Sequence, residues 1–232
     1  FSGDEYKGKI AIDLPLGARA RSRITGFASE YDGNITNRFS ATNNGSGTRK
    51  INGYSRWGAR AVTDIDFSDK FTMTVIADYR KADDDCCASV VLNPPATLAL
   101  RNQLPGVVFN NFKTRDVNQD FNVGTQEEAW GLSAQADYEL AGGLVLTSIT
   151  AYREWANTEL REGDFRSRPA LYVGNAYAGI DDFGPQDSST FSQELRLTSP
   201  SGGKLEYTLG AYYYKAENER TFRRNVRRCE ST

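Results

Sequence analysis

The sequence of 232 residues contains no histidine and no long uninterrupted apolar run. Without histidine, the Ser-His-Asp and Cys-His catalytic arrangements and every imidazole metal site are excluded. No stretch approaches the roughly 18 to 20 apolar residues of a transmembrane helix. The amino terminus, FSGDEYKGKI, is neither a signal peptide nor a start methionine, so we expect an internal segment of a longer protein.

An excess of charge of one sign is also missing, because the formal net charge is -2 and the basic residues are scattered along the chain. No basic block is present that would attract DNA or RNA, so we expect no nucleic-acid partner. The mean hydropathy is low, which is typical of soluble proteins. It is equally compatible with a membrane β-barrel, because barrel strands alternate lipid-facing and lumen-facing side chains.

The sequence does contain a series of long alternating runs. In one of them, apolar Trp130 and Leu132 alternate with Gly131 and Ser133. Successive strand side chains point to opposite faces, so each run predicts an amphipathic strand. The clear runs cover residues 6–16, 19–31, 54–67, 71–80, 129–140, 191–198 and 205–214. A further run, 144–160, is less clearly amphipathic, and its pattern leaves open which face meets lipid.

The runs are longer than ordinary strands and are joined unequally. Many reach the roughly 9 to 11 residues of a tilted transmembrane strand, above the roughly 5 to 6 typical of soluble domains. We count about eight strands in four hairpins, with short turns inside each hairpin and loops of roughly 20 to 45 residues between them. Short periplasmic turns and long extracellular loops are typical of outer-membrane barrels. The sequence therefore predicts an all-β fold, an antiparallel transmembrane β-barrel segment.

Each hairpin is expected to present one face to lipid. The loops after Tyr31, Arg80 and Leu160 should face outward, and the last of them should cover residues 161–188. In the hairpin hinged on the Ser-Gly-Gly-Lys turn, apolar and aromatic side chains should touch lipid. These side chains are Phe191, Leu195, Leu209 and Tyr213. Aromatic residues near the strand ends should form girdles at the headgroup level, unless they fill the core of a β-sandwich.

The opposite faces of the strands collect charged residues, which cannot face hydrocarbon cheaply. In a wide barrel they would line the lumen and pair with one another. The predicted lumen-facing residues are Arg56, Arg60, Arg80, Asp137, Glu194 and Arg196. An anion-guiding role for the arginines is the sharper alternative.

The segment DDDCCAS, at the predicted start of the longest loop, concentrates reactive groups. Its aspartates, Asp83, Asp84 and Asp85, are candidate ligand contacts. Cys86 and Cys87 are candidates for a vicinal disulfide, although Cys229 or a cysteine outside this sequence remains a possible partner. The aspartates also offer oxygen ligands for calcium, but the spacing of an EF-hand loop is absent, so we predict no metal site and no cofactor.

The third loop mixes arginine, tyrosine and carboxylates, as both recognition surfaces and ordinary solvated loops do. Its candidate ligand contacts are Arg166, Tyr172 and Tyr177. Asp181 and Asp182 are paired carboxylates, but adjacent positions point apart and indicate no acid-base geometry. We therefore predict that the protein is not an enzyme.

Four segments together are similar to a known family. They are IAIDLPLGARARSRITGFASEYDGNITN, INGYSRWGARA, LVLTSITAYREW and FSQELRLTSPSGGKLEYTLGAYYYK. In this order they resemble the barrel domain of TonB-dependent outer-membrane receptors, over about residues 6–218. The resemblance implies a barrel of 22 antiparallel strands and an amino-terminal plug. It also implies uptake of ferric siderophores, haem, cobalamin or oligosaccharides powered by TonB.

The resemblance sets the remaining expectations. Residues 1–232 would be part of one barrel domain in the bacterial outer membrane, without the plug, the TonB box and about two thirds of the strands. Its partners would be TonB, outer-membrane lipid and an extracellular small-molecule or glycan ligand. The alternatives are a passive porin-like channel and a soluble β-sandwich binding module. Two open sheet edges predict that the isolated chain aggregates.

Overall fold

The structure, a computed structural model, describes residues 3–38, 49–88, 90, 115–117, 119, 123–163, 171–173 and 176–229. For residues 171–173, 176–179 and 227–229 this description covers the backbone. Nearly all of the described chain is β-strand. Within it, no helix has the length and apolar character needed to cross a bilayer.

Eight long strands and five shorter ones make up the fold. The long strands are β1 (Glu5–Pro15), β2 (Ala20–Tyr31), β5 (Tyr54–Ser68), β6 (Phe71–Asp84), β8 (Gly124–Glu139), β9 (Val145–Glu162), β11 (Ala176–Thr198) and β12 (Thr208–Arg220). The short strands are β3 (Ile35–Asn37), β4 (Arg49–Ile51), β7 (Asp116–Val117), β10 (Leu171–Val173) and β13 (Arg223–Cys229). One 3-10 turn, Ala141–Gly143, separates β8 from β9.

The long strands form one antiparallel sheet in which neighbours in sequence are neighbours in space. The order is β1, β2, β5, β6, β8, β9, β11, with β12 and β13 both paired to β11. The predicted fold class, four consecutive hairpins of long antiparallel strands, is confirmed. In the described residues β1 and β12 lie at opposite edges, so the sheet is open.

Short turns lie at one end of this sheet and long connections at the other, as the sequence predicts. At the turn end, Leu16 N donates to Ala20 O (2.9 Å), and Leu140 N donates to Leu144 O (2.8 Å). Gly142 adopts a left-handed φ of 78° in the second of these turns, where a residue with a Cβ would be strained. We call the opposite end of the strands, where the long connections lie, the loop end.

The predicted boundary of the third loop is wrong. The described residues of this range, 161–163, 171–173 and 176–188, are almost all strand, because β9 continues to Glu162 and β11 begins at Ala176. This segment contains Gly, Pro and Asp and lacks alternation, so its sequence favours a loop. From Asp181 onward β11 pairs on both sides, with β9 on one edge and with β12 and β13 on the other.

The last hairpin also differs from the prediction at its turn. β12 begins at Thr208, not at Leu205, and the connection spans 199–207. Ser199 N donates to Tyr207 O at 2.9 Å, and Gly202 N donates to the Glu206 carboxylate at 2.6 Å. These bonds hold the Ser-Gly-Gly-Lys segment as a wide turn rather than a tight one.

A small second sheet sits at the loop end. In this sheet, hereafter the loop sheet, β3 pairs antiparallel with β4 and parallel with β7. Its apolar core consists of Ile35, Ile51 and Val117, with Ala88 and Val90 packed against it. The described parts of the first two long connections thus form a small packed sheet of their own at the loop end.

Candidate functional site: the two faces of the sheet and the loop end

The strand register assigns every side chain of the main sheet to one of two faces, since directly opposed residues point to the same side. One row across the sheet joins Ile24, Ala61, Ala77, Leu132, Tyr152 and Phe191. We call this side the apolar face. Another row joins Arg21, Asp64, Thr74, Gln135 and Glu194 through Ile149 on the opposite side, the polar face.

Two bands of aromatic rings bound the apolar face. Towards the loop end, ring centroids lie 5.1 Å apart for Trp57 and Tyr79 and 5.4 Å apart for Trp130 and Tyr152. Towards the turn end, Phe71 lies 4.9 Å from Phe67 and 6.1 Å from Tyr138. We call the part of the sheet between these bands the wall.

The spacing of the bands matches a bilayer. Trp130 and Tyr138 are eight positions apart on β8, which is about 27 Å along a strand at about 3.4 Å per residue. A tilt of about 40° reduces this to about 21 Å along the membrane normal, close to the apolar band of about 25 Å in outer-membrane barrels. On β5, β6 and β8 the apolar face between the bands carries no charged residue.

The polar tips of the loop-end band have hydrogen-bond partners. Trp130 Nε1 donates to Glu154 at 2.9 Å, and the Tyr152 hydroxyl donates to the other oxygen of the same carboxylate at 2.5 Å. Rings that are apolar on one side and hydrogen-bonded on the other are suited to an interface between hydrocarbon and water.

All six predicted lumen-facing residues lie on the polar face. Arg56 pairs with Asp84 and Arg80 with Glu127, while Arg196 Nε donates to Glu194 at 3.0 Å. The described residues provide Arg60 with no ion-pair partner. Three of the four predicted arginines are therefore held in ion pairs with carboxylates of the polar face.

Asp137, the sixth of these residues, accepts hydrogen bonds rather than pairing with a cation. Thr147 Oγ1 donates to it at 2.5 Å and Gln135 Nε2 at 2.9 Å. Asp64 combines both kinds of contact, because Arg21 binds it at 3.1 Å and Thr74 Oγ1 donates to it at 2.8 Å. Hydroxyl groups on neighbouring strands thus complete the carboxylate sites.

One ion pair on the polar face crosses an entire strand. Arg153 of β9 reaches Asp78 of β6 at 2.8 Å, passing over Gly131 of β8. A Cβ at Gly131 would lie 2.8 Å from an Arg153 guanidinium nitrogen. The missing side chain of Gly131 therefore opens the path for this bond. The alternation of side chains in the sequence does not reveal this bond.

A cluster at the loop end of the polar face was missed by sequence reasoning. The Tyr54 hydroxyl donates to Glu5, and Glu5 pairs with Lys7 at 2.8 Å. The Arg56 guanidinium lies 4.2 Å from the centre of the Tyr54 ring while it binds Asp84. The only available signal was the pair of tyrosines that end β2 and begin β5, whose rings lie 5.6 Å apart.

The three candidate aspartates do not begin a loop, which corrects the predicted loop boundary. Asp83 and Asp84 are the last residues of β6, and Asp85 follows directly. Asp84 binds Arg56, and Asp85 binds Arg49 at 2.5 Å. Consecutive strand residues point to opposite sides, so the aspartates do not converge. No group of three potential metal-ligating side chains occurs in the described part of the chain.

The candidates of the third loop are only partly described. Arg166 lies outside the described residues. Tyr172 and Tyr177 oppose each other in the pairing of β10 with β11, and their side chains are outside the description. Asp182, on the polar side of β11, binds Arg224 at 2.7 Å, and this hydrogen-bonded guanidinium lowers the pKa of the carboxyl.

Two buried carboxylates lie beyond the wall. Glu162 is 0% and Asp181 2% exposed, and they are opposed in the register of β9 and β11. The Asn225 amide donates to Asp181 at 2.7 Å. Asp181 and Asp182 point to opposite sides, as the sequence indicated, and do not form an acid-base pair. The burial of Glu162 had no sequence signal, because this end of β9 was expected to be loop.

The structure joins Cys86 and Cys87 in a vicinal disulfide. Cys86 Sγ lies 3.0 Å from Thr125 Oγ1, and Cys87 Sγ lies 3.9 Å from a Glu159 carboxylate oxygen. The bond therefore lies at the loop end, over the start of β8 and the end of β9.

No protein-family model matches this sequence, and no curated protein matches it. Among solved structures, the chain is similar to one in the FpvAI-pyocin S2 complex, with a TM-score of 0.58 and 15% identity over 94% of this chain and 26% of that one. BauA, the ferric preacinetobactin receptor from Acinetobacter baumannii, aligns at 11% identity over 91% of this chain and 36% of BauA, with a TM-score of 0.34 that is too low to establish a shared fold.

This chain spans about a quarter of the length of the FpvAI-complex chain. The FpvAI-complex chain is a TonB-dependent receptor. The resemblance noted in the sequence is thus confirmed at the level of the fold.

Proposed function

We propose that these residues are part of the barrel domain of a TonB-dependent receptor, which imports a scarce nutrient across the bacterial outer membrane. The proposal rests on the chemical difference between the two faces of the main sheet. On β5, β6 and β8 the apolar face lacks charge between two aromatic bands, and the polar face behind it carries most of the ion pairs. Only a wall between lipid and an aqueous lumen requires both.

The asymmetry of the two ends supports the orientation. The short turns between consecutive long strands lie at one end, and the loop sheet lies at the other, so the turn end faces the periplasm and the loop end faces outward. The lumen is then lined by the polar face, including Arg56, Arg60 and Arg80. The ligand, a ferric siderophore, haem, cobalamin or an oligosaccharide, would meet the loop end first.

Candidate ligand contacts are drawn from the loop end. Asp83, Arg166, Tyr172 and Tyr177 remain candidates. Asp84 and Asp85 are less suited to the role, because their carboxylates already bind arginines of neighbouring strands. In this proposal TonB acts through a plug inside the barrel, and the wall itself needs no cofactor.

The test uses a strain that lacks the full-length protein and a second strain that lacks TonB. We expect uptake of one ligand class, measured with labelled ferric siderophores, haem, cobalamin and oligosaccharides, to fall in both strains. Flux that persists without TonB would identify a passive channel instead. Release of the full-length protein from membranes without detergent would overturn the membrane assignment.

A further inference from the structure

Along the chain, the vicinal disulfide lies between two segments that contact the loop sheet or the residues next to it. On one side, Asn52 N donates to Asp85 O at 2.7 Å, and Asp85 N donates to Gly53 O at 3.0 Å. On the other side, Ala88 and Val90 pack against the loop-sheet core. Any change in the chain direction at 86–87 therefore moves one attachment relative to the other.

The backbone at the disulfide is held in an uncommon conformation. Cys87 has a φ of 81°, and in the described residues only Asn52, at 68°, shares the left-handed region among residues other than glycine. The Cβ of an L-residue makes this region unfavourable. The covalent ring of two adjacent cysteines restricts Cys87, and opening the ring frees it to return to an extended conformation.

The surroundings accommodate the reduced form. Thr125 Oγ1, 3.0 Å from Cys86 Sγ, and the Glu159 carboxylate, 3.9 Å from Cys87 Sγ, can each hydrogen-bond a free thiol. Both cysteines are half-buried, so a small reagent has access to the sulfur atoms. Neither new thiol would be left in an apolar pocket.

We propose that the Cys86–Cys87 disulfide is a reducible site at which a small dithiol opens the bond and releases the loop sheet from the strand ends. One thiolate of the dithiol attacks a protein sulfur, and the S–S bond breaks to give a mixed disulfide and a protein thiolate. The second thiol of the reagent then displaces the other cysteine. The reagent becomes a cyclic disulfide, and its two protons and two electrons go to the two protein thiols.

The test measures trypsin cleavage after Lys50, a residue within β4, in outer membranes that contain the full-length protein. A paired strand resists proteolysis, and cleavage tracks the population of the opened form. We expect dithiothreitol to accelerate this cleavage about tenfold or more, as followed by mass spectrometry of the released peptide. Oxidised glutathione should restore the slow rate after the dithiol is removed.

Two variants locate the effect. The double variant Cys86→Ser, Cys87→Ser should be cleaved quickly with and without dithiothreitol, whereas Cys229→Ser should respond like the wild type. If the double variant is absent from the membrane, iodoacetamide treatment of the reduced wild-type protein supplies the open form, which should stay sensitive after removal of the dithiol. Cleavage that is unchanged once both thiols are shown free by mass, or a bond that dithiothreitol does not reduce, would overturn the proposal.

Discussion

The wall and the loop sheet use hydrophobic side chains in opposite ways. On the wall, Ile10 is 64% and Leu132 50% exposed, whereas in the loop sheet Ile51 and Val117 are each 3% exposed. Burial from water stabilises the loop sheet in the manner of a soluble domain. The wall buries little within the protein, so its apolar face needs lipid as the missing layer.

The comparison also separates two kinds of polar interaction. The ion pairs of the wall lie on its polar face, and its apolar face is left to contact hydrocarbon. At the loop end, polar groups are mixed with the core: Asn37 Nδ2 donates to Gln119 O at 2.8 Å, and both residues are buried. A fold that sorts polarity by face suits a membrane, and one that hydrogen-bonds it internally suits water.

The largest effect should come from removing the rest of the barrel. When residues 1–232 are expressed alone, we expect aggregation, because β1 and β12 present unpaired edges and the apolar face is uncovered. Size-exclusion chromatography with light scattering measures this. A monodisperse monomer in detergent-free buffer would contradict the assignment of the wall to lipid.

An arginine introduced on one face of β8 should destabilise the protein far more than an arginine introduced on the other face. Ala134→Arg on the apolar face, midway between Trp130 and Tyr138 on β8, should lower the free energy of unfolding of the full-length protein by about 2–4 kcal/mol, the cost of an arginine facing the bilayer centre. The matched control is Gln135→Arg on the polar face, close to Asp137. Denaturant unfolding in lipid vesicles, followed by tryptophan fluorescence, compares them. Equal losses for the two variants would disprove the assignment of faces.

A smaller change should affect the loop sheet alone. Ile51→Val removes one methylene group from its core and should destabilise it by about 0.5–1.5 kcal/mol. Hydrogen exchange should then quicken in β3 and β4 and stay unchanged in β8. The matched control, Ile10→Val, removes the same group from the lipid-facing side of β1 and should leave β3 and β4 unaffected. Faster exchange throughout the main sheet would show that the two regions unfold together.

The smallest effect concerns Asp182, which lies beyond the wall. Arg224 lowers the pKa of Asp182 in the folded protein, so this pair contributes stability above the unfolded value of about 3.9 and loses it as pH falls through the lower folded value. Asp182→Asn should cost about 0.2–1 kcal/mol at neutral pH. The difference from wild type should vanish in strong acid, as measured by unfolding midpoints. A difference that is constant with pH would point to packing instead.

Strand existence was predictable where one face is apolar and the other polar. The runs around Trp130 and Leu132 predicted β8, and the lengths of the runs predicted a membrane wall. Residues 176–188 were not predictable as strand, because their backbone is stabilised by pairing with β9, β12 and β13 and not by an apolar face. Pro185 even argues against it, yet its carbonyl accepts from Thr221 at 3.0 Å in the gap between β12 and β13.

The candidate site was predictable only as a set of faces. The alternation assigned Arg56, Arg60 and Arg80 to one side, but partners depend on cross-strand register. The bond from Arg153 to Asp78 requires three strands and an empty position at Gly131. Likewise the convergence of β3, β4 and β7 joins segments far apart in sequence, which no local pattern reveals.

By itself, the sequence determined the long amphipathic strands, their hairpin order and the two chemical faces, because the alternation of side chains is a local property of an extended chain. The tertiary structure alone decided which face of β9 is apolar, since Ser148, Thr150 and Tyr152 reach that side only through the register with β8 and β11. The tertiary structure also determined that β3, β4 and β7 form the loop sheet and that the disulfide lies next to β8 and β9. Those contacts arise between segments distant in sequence, where packing and pairing outweigh local preference.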